Sequence, residues 1–145
     1  MKRILLSLIV LLAPLVVVTS AGALEGPTMT AARQLDLAAQ HLATSALKQA
    51  ANGAITPQAA ETAVGFADLV RDFRFELEPS LISAMQAEIE WAQVADGFAA
   101  TRDLLHGSDS RDLQHELLRV NALMNRLDRS FGGTGFWSGR NGWSG

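Results

Sequence analysis

Residues 110–131 read SRDLQHELLRVNALMNRLDRSF. Leu113, Leu117, Val120, Met124, Leu127 and Phe131 recur at spacings of 4-3-4-3-4. That is the rhythm of one face of an α-helix, whose period is 3.6 residues. Ser110 stands where an N-cap hydroxyl belongs, and Asp112 places an anion in the first turn, where the helix dipole favours it. Arg126 and Arg129 lie toward the opposite end, where the dipole favours cations, and Arg111 and Arg119 also avoid the apolar seam. The stretch predicts an amphipathic helix that buries a single seam.

The same grammar extends to three earlier stretches, separated by Asn52-Gly53, Glu78-Pro79 and His106-Gly107-Ser108 and followed by Gly132-Gly133. From about Thr30 to Ala51, Leu35, Ala38, Ala39, Leu42 and Ala46 share a face, and Asn52-Gly53 supplies a left-handed stop. Thr56-Pro57 pairs a capping hydroxyl with proline at the first helical position. The seam that follows is Ala63, Phe66, Val70, Phe73, Leu77, and Glu78 before Pro79 marks its end or a kink. Ser80 caps a third stretch that runs to about His106. Ile82, Met85, Ile89 and Ala92 form one stripe there, and Trp91, Val94, Ala95 and Phe98 form a second. So wide an apolar face is expected to contact two neighbours, as a central bundle helix does. Tyrosine is absent, and Ala, Leu, Gln, Arg and Glu dominate, which leaves little for a sheet. The expectation is an all-α, four-helix up-down-up-down bundle over residues 24–131, reduced to three helices if Pro79 only kinks one.

The chain opens with a different signal. Lys2 and Arg3 precede an apolar run from Ile4 to Val18, and Thr19-Ser20-Ala21-Gly22-Ala23 ends in the small residues that a signal peptidase reads. The run is shorter than the roughly 20 residues of a bilayer span. Residues 1–23 are therefore expected to be a Sec-type signal peptide cleaved after Ala23, leaving no stable membrane anchor and a periplasmic or secreted protein. Lys2 and Arg3 would leave with it, so the twelve basic residues fall to ten against fifteen acidic ones, a net charge of −5. An acidic exported domain whose one lysine is Lys48 is a poor match for nucleic acid. Cysteine is absent, which removes lipid attachment, covalent haem, a thiolate nucleophile and zinc-thiolate sites. No Asn-x-Ser/Thr sequon occurs, in keeping with a bacterial rather than a eukaryotic origin.

Helix bundles often carry metals or haem, so the histidines and methionines bear on function. His41, His106 and His115 belong to no H-x₃-H, H-E-x-x-H or E-x-x-H pattern, the spacings that set two ligands on one helical face. Met85 and Met124 fall on expected core stripes, where methionine ordinarily fills irregular space. These five residues are the candidates for a metal- or haem-binding alternative, which requires a histidine facing inward against a methionine. No cofactor is expected otherwise. Glu61, Glu88 and Glu90 lack the Glu-x-x-His partners of a di-iron bundle, and no G-x-S-x-G is present. Asp72 and Glu76 repel at i, i+4, with Arg74 expected to offset this in part. With Glu78, Glu88 and Glu90 they read as a solvated acidic surface around the second connection.

The segment 132–145 does not fit a helix. Six of its fourteen residues are glycine, Trp-Ser-Gly occurs twice, and it holds two of the three tryptophans. Glycine makes such a segment costly to order, yet Trp and Arg are the residues that dominate interface energies. Phe136, Trp137, Arg140 and Trp143 are therefore expected to bind a partner or to fold back on the bundle, with stacking on cell-wall sugars a weaker option. The reading is an exported, non-enzymatic bundle acting through another protein, or through a second copy of itself.

Overall fold

A computed structural model describes residues 26–77 and 84–130. Four helices account for most of them: α1 (Pro27–Ala51), α2 (Pro57–Glu76), α3 (Ala84–Leu105) and α4 (Arg111–Ser130), with no strand among the described residues. The expected signal at 1–23, Ser80, Ile82, Phe131 and the segment 132–145 lie outside the described residues.

The helix ends follow from local chemistry. Asn52 closes α1, and Gly53 takes φ 71°, the left-handed conformation that glycine adopts without a Cβ clash. The Gly53 N–H then donates to the Ala50 carbonyl and the Ala54 N–H to the Gln49 carbonyl, each at 2.9 Å, the paired bonds of a Schellman stop. Thr56 caps α2, its hydroxyl accepting from the Ala59 N–H at 3.2 Å, with Pro57 behind it. Ser110 accepts from the Leu113 N–H at 3.4 Å. The Gln114 side chain ties down the preceding loop by donating to the carbonyls of His106 and Ser108.

Pairs of side chains fix the directions. Arg74, near the end of α2, reaches Asp36 in the first half of α1. Phe73 lies 5.5 Å from Trp91, and Phe66 5.4 Å from Phe98, between ring centroids. The Trp91 indole N–H donates to Asp128 at 3.4 Å. Asp36 is in the first half of α1 and Arg74 late in α2, and Phe66 and Phe73 meet Phe98 and Trp91 in reversed order. Trp91 is early in α3 while Asp128 is late in α4, so successive helices are antiparallel. α2 and α3 are thus separate helices, not one kinked at Pro79. α1 lies between α2 and α4, and α2 between α1 and α3.

The seams read from α1, α2 and α4 are buried as expected. α1 and α2 pack most closely, because alanine lines both sides: Ala32, Ala39, Ala43 and Ala46 against Ala59, Ala60, Ala63 and Ala67. Side chains without bulk let two helix backbones approach. On α3, Gly97 leaves room for the Leu69 side chain of α2, since a Cβ there would stand 2.8 Å from Leu69 Cδ1. α3 and α4 approach least of the four neighbouring pairs, and Trp91 spans the gap between them.

α3 departs from the sequence reading. Trp91, Val94, Ala95 and Phe98 are buried, but Met85 is 72% exposed and Ile89 48% exposed, with Ala92 only half-buried. Both neighbours of α3 lie on its Trp91 side, since Trp91 itself touches Phe73 of α2 and Asp128 of α4. At 100° per residue, Met85 and Ile89 point away from both. α3 is a flanking helix with one buried face, not a central one with two.

Candidate functional site

The histidines stay apart from the core. His41 sits midway along α1, His106 just beyond α3 and His115 early in α4, and all three are exposed. Met124 is fully buried, whereas Met85 is the most exposed of the large apolar side chains among the described residues. Among the described residues no histidine faces inward toward Met124, because all three are turned to solvent. Nor do three or more His, Asp and Glu side chains among them come together in a way that could hold a metal ion. The structure therefore does not assemble His41, His106, His115, Met85 and Met124 into one site.

The acidic surface is present but arranged differently from its reading. Asp72, Glu76 and Glu88 are exposed, while Glu90 is half-buried and accepts from the Gln86 amide. Arg71 pairs with Asp68 one turn away. Arg74, expected beside Asp72 and Glu76, instead directs its Nε–H across the α1–α2 interface to Asp36 at 2.8 Å. The second oxygen of Asp36 accepts from the Gln40 amide, also at 2.8 Å, and the Arg74 guanidinium lies 4.0 Å from the centre of the Phe75 ring. Asp36 is buried at 6% exposure. This clamp was missed in the sequence. Its signal was an aspartate next to Leu35, on the edge of an alanine seam, with a glutamine one turn on.

One further carboxylate is unusual. Glu116 of α4 has a buried Oε2 with no hydrogen-bond partner, 4.0 Å from Arg119 Nη1.

The arrangement that stands out is apolar. Met85 and Ile89, one turn apart, form an outward stripe on the first half of α3, with Glu88 beside it also exposed. Leu37, Leu47, Leu69, Phe75, Leu104 and Leu118 are exposed as well, but none of them has a large exposed apolar side chain one turn away on its own helix. The four residues read as partner-binding, Phe136, Trp137, Arg140 and Trp143, lie outside the described residues. Among the described residues, no helix is long and apolar enough to cross a membrane. No protein-family model, curated protein or solved structure matches this chain.

Proposed function

We propose that the protein is exported, is released from its signal after Ala23, and acts without catalysis as a bundle that holds another protein. The contact elements are the aromatic segment with Phe136, Trp137, Arg140 and Trp143, and the outer face of α3. The observation that carries the reading is the Met85–Ile89 stripe. The bundle completes its core without these side chains and leaves them in water, where apolar area is unfavourable until something covers it. Rigid helices present such a face in a fixed geometry, and the aromatic segment adds the residue types that anchor interfaces.

Two measurements test this. N-terminal sequencing of protein recovered from the periplasm should begin at Leu24. Crosslinked capture from the same compartment should yield a specific partner that is lost from a chain ending at Phe131 and weakened by Met85→Glu. Recovery of the chain without a partner, but with stoichiometric metal or haem, would overturn the proposal and move function to His41, His106, His115, Met85 and Met124.

A further inference from the structure

Sulfur is scarce in this chain and unevenly sheltered. Cysteine is absent, and the four methionines are Met1, Met29, Met85 and Met124. Met1 belongs to the expected signal. Met29 is half-buried against the core of the bundle, and Met124 is fully buried. Met85 is 72% exposed, on the face of α3 that turns away from both neighbouring helices. With no thiol to react first, a two-electron oxidant that meets the folded bundle finds one thioether in the open among the described residues.

We propose that Met85 is a site of reversible sulfoxidation by peroxide, and that the modification switches the outer face of α3 from apolar to polar. The sulfur lone pair takes one oxygen from hydrogen peroxide. An S–O bond forms, the O–O bond breaks, and the departing hydroxide takes the proton of the transferred oxygen and becomes water. Sulfur loses two electrons and the peroxide gains them. A sulfoxide reductase returns the thioether, drawing two electrons from a dithiol and releasing the oxygen as water. The consequence follows from where the side chain stands. A sulfoxide is polar, so at Met124 it would disrupt the core, whereas at Met85 the added oxygen is free to meet water. Ile89, one turn on, completes the apolar stripe, and Glu88 beside it is already charged and exposed. Oxidation therefore leaves Ile89 as the only apolar member of the stripe. A contact that works by keeping water off apolar surface is weakened when a dipole has to be buried within it. This second step rests on the reading of the outer α3 face as a contact element, whereas the oxidation site does not. An exported chain would also lie outside the cytosolic thiol pool that otherwise intercepts oxidants.

Peptide mass spectrometry of the folded chain during hydrogen peroxide treatment tests the site. Met85 should gain one oxygen first, with Met29 lagging. Met124 should react more slowly than Met85 by roughly a hundredfold or more, since a stable domain is unfolded only about 10⁻³ of the time or less. In denaturant the three should react alike. Met29 or Met124 oxidised as fast as Met85 in the folded chain, or Met85 left intact, overturns the proposal. The melt should be the same before and after oxidation of Met85, and a lowered melt overturns the switch by making Met85 part of the core. Crosslinked capture then compares untreated, peroxide-treated and reductase-restored chain with Met85→Leu, which keeps an apolar side chain of similar volume and has no sulfur. Oxidation should reduce capture about as far as Met85→Glu does, the reductase should restore it, and Met85→Leu should be indifferent to peroxide. Undiminished capture by the oxidised chain, or a loss that Met85→Leu does not prevent, overturns the switch. No capture by the untreated chain removes the contact reading and the switch with it, while the peptide masses still decide the oxidation site.

Discussion

Asp36 shows what one buried charge does in a core rich in alanine. Its two oxygens are both engaged, one by Arg74 and one by Gln40, and the Arg74 guanidinium is further held over Phe75. A charge removed from water is tolerated when its lone pairs are met in this way, and removing one member strands the other. Asp36→Ala is expected to lower stability by about 3 kcal/mol in chemical denaturation, because Arg74 is left largely buried without its carboxylate. The double variant Asp36→Leu, Arg74→Met should lose much less. A double variant as damaged as the single one would show that the carboxylate matters for something other than pairing. The clamp also places the end of α2 against the first half of α1, so the same contact that satisfies a charge fixes the direction of two helices.

At the scale of elements, legibility depended on whether a neighbour meets each apolar stripe. α4 could be read from Ser110 to Leu127 because its apolar residues make one stripe, and that stripe is the buried one. α1 and α2 were equally open, since Asn52-Gly53 and Thr56-Pro57 carry their stop and start in side-chain and backbone chemistry alone. α3 was misread. Periodicity reports which residues share a face, but not whether a neighbour comes to meet that face, and the Met85–Ile89 stripe has the same spacing as the buried one. The Asp36–Arg74 clamp joins residues 38 positions apart, a pairing that spacing within a helix does not encode. The outer stripe of α3 should therefore behave differently from the buried seams. Phe73→Ala and Leu117→Ala are each expected to cost about 2–5 kcal/mol through the cavities they leave. Ile89→Ala should change the melt by no more than about 0.5 kcal/mol. Equal losses at all three positions would show that the outer stripe is part of the core.

For the whole molecule, the four neighbouring contacts are unequal, and function divides along that inequality. α1 and α2 approach on alanine and form the spine; α3 hangs from α2, α4 hangs from α1, and the two hanging helices meet chiefly through Trp91 and Asp128. The stripe assigned to binding lies on a hanging helix, and the segment assigned to binding follows the other. The proposed α3 surface is thus separate from the α1–α2 contacts that hold the bundle together.

The alanine spine sets a ceiling on size. At Ala39, Ala46, Ala60 and Ala63, which are buried where the two closest backbones meet, any larger side chain has to push helices apart. Ala63→Leu is expected to destabilise by about 1–3 kcal/mol, and a melt raised by that change would show the spine to be loosely packed. Over generations of substitution, such an interface is frozen against growth, while the outer surfaces of α3 and α4 remain free to drift. The bundle can exchange what it touches without rewriting what holds it upright.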